Sequence, residues 1–120
     1  MYSRIARKIK KFPRDDAGLL WTNHAIRKMA FYRLSESTVR RVLRHPLRSE
    51  EGIAPKTVAL MQPVKTSKKP HEIWLMYQNV GSKKRIITAW RYPGRSPVRS
   101  RIPIPQDILE ELENEKVLLE

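Results

Sequence analysis

The chain contains no cysteine. That excludes a disulfide framework, thiol nucleophiles and any cysteine-ligated metal. It has no apolar run near the ~20 residues needed to cross a bilayer. Its basic start, residues 1–12, leads into no long apolar region, so no membrane span or secretory signal is expected. The four glycines are scattered singly and form no phosphate-cradling loop, and no Gly-x-Ser-x-Gly elbow occurs. The three histidines, His24, His45 and His71, are not spaced at i+3 or i+4 and have no carboxylate cluster beside them. A zinc or di-metal hydrolase site is therefore not expected, and no cofactor is implied. These absences leave a soluble, cytoplasmic single domain of 120 residues as the expectation.

Acids are also scarce. Twelve Asp and Glu face 25 Lys and Arg, a net charge of +13. The balance is uneven, because residues 106–120 hold six acids and one base, while residues 1–105 carry +18. Such a body calls for a polyanionic partner, with nucleic acid ahead of an anionic membrane surface.

The stretch from Thr22 to Pro46 organises what is present. Thr22 or Asn23 caps a helix with Ala25, Ile26, Met29 and Ala30 on its apolar face. His24, Lys28 and Tyr32, at i, i+4 and i+8, form a second stripe beside that face. After a break at Arg33-Leu34, Ser35 caps a second helix that buries Val39, Val42 and Leu43 and stops at Pro46. Its outer face carries Arg40, Arg41 and Arg44.

Before this pair lie a basic arm over residues 1–14 and a short turn or helix from Asp15-Asp16 to Trp21. After it come three strands, over residues 57–62, 72–78 and 85–92. Pro63 ends the first, and a basic loop with Lys65, Lys68 and Lys69 follows it. The second and third are joined through Gly81. Alternation along the third puts Arg85, Ile87, Ala89 and Arg91 on one face and Ile86, Thr88, Trp90 and Tyr92 on the other. Residues 93–105 form a loop with Arg95, Arg99 and Arg101, and residues 106–120 form an acidic helix with Ile108, Leu109 and Leu112 on one side.

RNA carries its own nucleophile, the 2′-hydroxyl. Its cleavage needs a proton acceptor, a proton donor and cations for the phosphate charge that builds up. His24, Lys28 and Tyr32 from the helix, with Arg85, Thr88 and Arg91 from the strand, are residue types that fill these roles without a metal. For nucleic-acid contact the candidates are Arg40, Arg41, Arg44, Lys68, Lys69, Lys83, Lys84 and Arg95.

The run His24-Ala25-x-x-Lys28-Met29-x-x-Tyr32-x-Leu34-Ser35, followed by Val39, Val42-Leu43 and Pro46, resembles a small uncharacterised domain family whose pattern opens HA-x-x-R-M-x-x-R-x-I-S. Arg85-Ile86-Ile87-Thr88-Ala89 is similar to a strand of BrnT toxins. Both groups go with RelE-like toxin folds, and the resemblance covers roughly residues 22–92. It implies N-terminal helices packed on a three- to four-stranded antiparallel sheet over residues 15–92; with the C-terminal helix read from its own apolar face, the expected class is α+β. The resemblance also implies a metal-independent endoribonuclease paired with an antitoxin. The chain departs from the pattern where Lys28 and Tyr32 replace arginines and where Trp90 stands in place of a BrnT strand arginine, with Arg91 one residue further on. Two alternatives stay open: a nucleic-acid-binding module that does not cleave, and a protein-interaction module on the same fold.

Overall fold

The computed structural model describes residues 13–98 and 101–114. The expected basic arm falls almost wholly outside them, as do Arg99 and the last six residues of the expected acidic helix. The elements in order are β1 (Leu19–Trp21), α1 (Asn23–Tyr32), α2 (Glu36–Arg44), β2 (Arg48–Glu51), β3 (Thr57–Val64), β4 (His71–Val80), β5 (Lys83–Pro93) and α3 (Gln106–Glu113). The class is α+β, as expected. The sheet is not a three- or four-stranded antiparallel one, however. It is mixed and five-stranded, in the order β1-β5-β4-β3-β2, with β1 parallel to β5 and the other pairs antiparallel.

The two added strands are short and lie at the edges. Residues 15–21 were expected as a turn or helix and instead form a turn and then β1. Asp16 Oδ1 accepts from the amides of Gly18 and Leu19, Asp15 Oδ1 accepts from Trp21, and the chain leaves extended. β2 reads Arg-Ser-Glu-Glu and has no apolar residue to announce it. Its inward residues are charged, and Arg48 satisfies its guanidinium on Glu50 and Ser96 while lying 5.0 Å from the Trp74 ring centre. Charge on a short edge strand also discourages further strand pairing. Pro63 does not end β3, which runs on to Val64. β2 pairs only with Val58–Met61, so the missing Pro63 amide breaks no ladder on that side.

The helix pair forms where its caps predict. Thr22 accepts from Ala25 N and Ser35 from Thr38 N, and Arg33 adopts φ 56°, the left-handed turn that ends α1. Gly81 takes φ 62° in the β4–β5 turn. α1 leaves β1 and runs beside the second half of β5. The Thr22 hydroxyl bonds the carbonyls of Ile86 and Ile87, and Arg91 bonds those of Tyr32 and Arg33.

Strict alternation fails in β5. Met76 pairs with Thr88 and Tyr77 with Ile86, so Ile87 is an extra residue in a β-bulge. Ile86 and Ala89 consequently share one core, with Ala25, Met29, Val39, Val42 and Leu75, under α1 and α2. Ile87 and Trp90 share the other, with Trp74, Met76, Ile102, Ile108 and Leu112, under α3. Trp74 and Trp90 are cross-strand partners whose rings stack in parallel at 5.9 Å.

Candidate functional site

The stripe His24, Lys28, Tyr32 faces α3. Because α1 lies at the edge of β5, its apolar face covers the first core while this stripe reaches the margin of the second. Proline 105 opens α3, and burial of Ile108 and Leu112 fixes its rotation. Asp107 and Glu111, one turn apart, then point back at α1.

His24 has no exposed surface. Its Nε2 lies 2.9 Å from Thr88 Oγ1, and its Nδ1 lies 2.7 Å from Glu111 Oε2, close but off the line of a good hydrogen bond. A carboxylate only accepts, so the ring proton belongs on Nδ1 and Nε2 accepts from the Thr88 hydroxyl. Lys28 Nζ donates to Asp107 Oδ2 and to Glu111 Oε1, each at 2.7 Å. Tyr32 OH reaches Asp107 Oδ1 at 3.5 Å.

The titrations follow from this packing. Burial lowers the His24 pKa and outweighs the opposing pull of Glu111. Burial also disfavours the Lys28 ammonium, but its bonds to Asp107 and Glu111 win and hold it charged to higher pH. The same bonds keep both carboxyls below their ordinary range against their own burial, with His24 adding to the effect at Glu111. Burial first, and then the Asp107 charge, push the Tyr32 phenol up. With α3 in place the cluster is a neutral imidazole beside a fully compensated ammonium.

Of the six residues picked out for chemistry, the fold therefore gathers four: His24, Lys28, Tyr32 and Thr88. Arg91 is engaged elsewhere, capping α1 through Nε to the Tyr32 carbonyl (2.7 Å) and Nη2 to that of Arg33 (2.9 Å). Its Nη1 lies 2.6 Å from His71 Nε2. Arg85 and Arg91 were expected on one face of β5; the bulge between them puts them on opposite faces, and Arg85 donates to Gln78 at 3.4 Å. Trp90, at the position compared with a toxin arginine, is fully buried.

The eight candidates for nucleic-acid contact fall into separate places. Arg40 is held between Asp16 and Glu36, each at 2.8 Å, and lowers the Asp16 pKa to about 2 together with the amides of Gly18 and Leu19. Arg41 and Arg44 are exposed on α2, Arg41 donating to Gln62. Lys68 and Lys69 are exposed in the β3–β4 loop, near exposed Arg95. Lys83 and Lys84 begin β5 at the opposite end of the sheet, with the Lys84 ammonium 5.2 Å from the Tyr77 ring centre. A hollow of about 750 Å³ between α1 and α2, lined by Ile26, Met29, Leu34 and Arg40 among others, contains none of the stripe residues.

Sequence reasoning did not place Asp107 and Glu111 in this site. Their signal was the i, i+4 spacing of two acids in an acidic segment attached to a basic body. Among the described residues no cluster of His, Asp or Glu is arranged to hold a metal ion, and no helix is long and apolar enough to cross a membrane. Comparison with protein-family models, with curated proteins and with solved structures finds no match.

Proposed function

We propose that the chain is an RNA-binding protein. The observation that carries this reading is where the acids go. Asp16 and Glu36 are consumed by Arg40, Glu50 by Arg48, Glu72 by Trp74 and Ser96, and Asp107 and Glu111 by Lys28 and His24. Exposed Arg44, Lys65, Lys68, Lys69 and Arg95 have no acidic partner among the described residues. With these six acids engaged inside the fold, the unpartnered bases and the chain's net charge of +13 suit a polyanion. The test is a titration of single-stranded RNA against salt. Log affinity should fall with log salt by ~0.7 per phosphate contact. Affinity that stays flat from low to moderate salt overturns the reading.

A second reading is favoured by the convergence of His24, Lys28, Tyr32 and Thr88: a cytoplasmic, metal-independent endoribonuclease of the RelE and BrnT type, with RelE-like helix and sheet packing and an antitoxin partner. In the described conformation the carboxylates of Asp107 and Glu111 take up the donors that a phosphate would need. On this reading cleavage requires the phosphate to displace these two carboxylates from Lys28 and His24. His24 then takes the 2′-hydroxyl proton, while Lys28 and Tyr32 stabilise the phosphate and protonate the leaving oxygen. RNA cut in EDTA to 2′,3′-cyclic phosphate ends, with His24→Ala slower by roughly 10²-fold or more, supports it. Intact RNA at high protein concentration leaves the binding module.

A further inference from the structure

A second site lies at the end of the sheet where β3 finishes, β4 begins and β5 finishes. It starts from a buried carboxylate. Glu72, at the start of β4, is only 2 % exposed. Its Oε1 accepts from Trp74 Nε1 at 3.0 Å and from Ser96 Oγ at 2.7 Å, and its Oε2 accepts from Ser96 N at 3.1 Å. Arg48 donates to the same Ser96 hydroxyl at 2.7 Å. A further bond runs from Gly94 N to the Pro70 carbonyl. The segment after β5 is thus fastened to the sheet from both sides, and the carboxylate is satisfied by these three bonds.

The fastening leaves a cleft beside it. Its larger hollow, about 360 Å³, is walled by Leu47, Met61, Pro63 and Val98. A smaller one, about 130 Å³, runs on toward Pro70 and His71 and shares Pro63, Lys65, Glu72 and Arg95 with the first. Leu47 and Val98 are 67 % and 70 % exposed, two of the few large apolar side chains left in water among the described residues. Lys65 and Arg95 line both hollows, are exposed, and have no ion pair or side-chain hydrogen bond among the described residues. Lys68 and Lys69 follow in the adjoining loop.

We propose that this cleft binds one nucleotide of single-stranded RNA, with the base against Leu47, Met61, Pro63 and Val98 and the flanking phosphates on Lys65 and Arg95. The inference rests on the RNA-binding reading and gives it a place and a strand form. Apolar walls with unpaired cations at the rim match a ligand that is planar and apolar in one part and anionic in the next. The larger hollow falls in the lower range of small-ligand pockets, roughly 300–1,000 Å³. A-form duplex RNA keeps its base faces stacked and offers only phosphates and groove edges, so it fills the rim and leaves the walls bare. A peptide of acidic residues alone has the charge but no planar group for the hollow.

The experiment uses the full chain and a labelled eight-nucleotide single-stranded RNA, read by fluorescence anisotropy. Its controls are a duplex of the same length and oligoglutamate as competitor. Lys65→Gln/Arg95→Gln should weaken single-strand binding about tenfold or more and reduce the salt slope by roughly 1.4, two contacts at ~0.7 each. Lys56→Gln/Arg14→Gln removes the same charge elsewhere and should change affinity less than threefold. Val98→Asp should weaken single strands more than duplex. In a photocrosslink with 4-thiouridine RNA, the labelled peptides should fall around Pro63, Lys65 or Val98. Equal losses in the two charge variants, equal binding of duplex, or displacement by oligoglutamate at matched charge would each overturn the cleft while leaving RNA binding intact. A wild-type chain that binds no RNA would instead remove the RNA-binding reading itself.

Discussion

At the residue scale His24 carries the sharpest consequence. It is a base whose pKa burial holds below the ordinary value of about 6.5. The unfolded chain therefore binds a proton at His24 before the folded chain does. Stability from this group is fully present above pH ~6.5 and is lost as pH falls through the folded value. Asp107 and Glu111, also lowered, act in the same direction at lower pH, through loss of their bonds to Lys28. Thermal midpoints should drop steadily from pH 7 to pH 4, and a proton NMR titration should place the His24 midpoint below 6.5. A midpoint above 6.5 would mean that Glu111 dominates burial, and the imidazole would then be charged at rest. Trp90 gives a second test. Fully buried and stacked on Trp74, it belongs to the core. Trp90→Ala should cost roughly 3–5 kcal/mol in denaturant unfolding, where a surface RNA contact would cost almost nothing.

At the element scale the question is what α3 does. It buries Ile108 and Leu112 over the Trp74–Trp90 face and sets two carboxylates on the stripe of α1. The two roles separate by mutation. A chain ending at Arg101 uncovers the second core and should unfold or aggregate, seen as loss of a cooperative melt. Asp107→Asn/Glu111→Gln keeps the apolar contacts and leaves Lys28 without its acids, at a cost of about 1–3 kcal/mol. If the stripe is a covered RNA site, this variant should bind RNA several-fold more tightly than wild type. Unchanged affinity makes α3 a structural cover only. How legible these elements were follows from their physics. Thr22, Ser35 and Gly81 announced themselves because caps and positive-φ turns depend on one residue each. β1 is three residues long, and β2 has only Arg, Ser and Glu to show, so neither has a hydrophobic period to read. The bulge at Ile87 is invisible in a run where every residue is buried, since an apolar stretch reads the same in either register. Half of the candidate site was readable as an i, i+4, i+8 stripe; its acidic half, 75 to 87 positions away, was readable only as an excess of charge of one sign.

At the scale of the whole molecule charge works against the fold and for the partner. A net +13 on a 120-residue chain repels itself. Among the described ion pairs Arg40–Asp16 and Arg40–Glu36 lie near the surface, where such pairs contribute little, while the pairs to Lys28 are better shielded. Screening should then relieve more repulsion than it weakens attraction. Raising salt from about 20 to 300 mM shortens the screening length from roughly 20 Å to below 8 Å. The thermal midpoint of the free protein should rise across that range while affinity for RNA falls. RNA itself should restore stability at low salt, because a ligand at 100 times its dissociation constant adds about 2.7 kcal/mol to a fold it binds and an unfolded chain it does not. The two effects oppose each other, so melts at low and high salt, with and without RNA, should cross: RNA raises the midpoint strongly at low salt and hardly at all at high salt. A midpoint that falls with salt in the free protein would show that the internal pairs outweigh the repulsion. In that case the internal pairs, not the surplus of base, set the fold's response to salt, and self-repulsion no longer argues for a polyanionic partner.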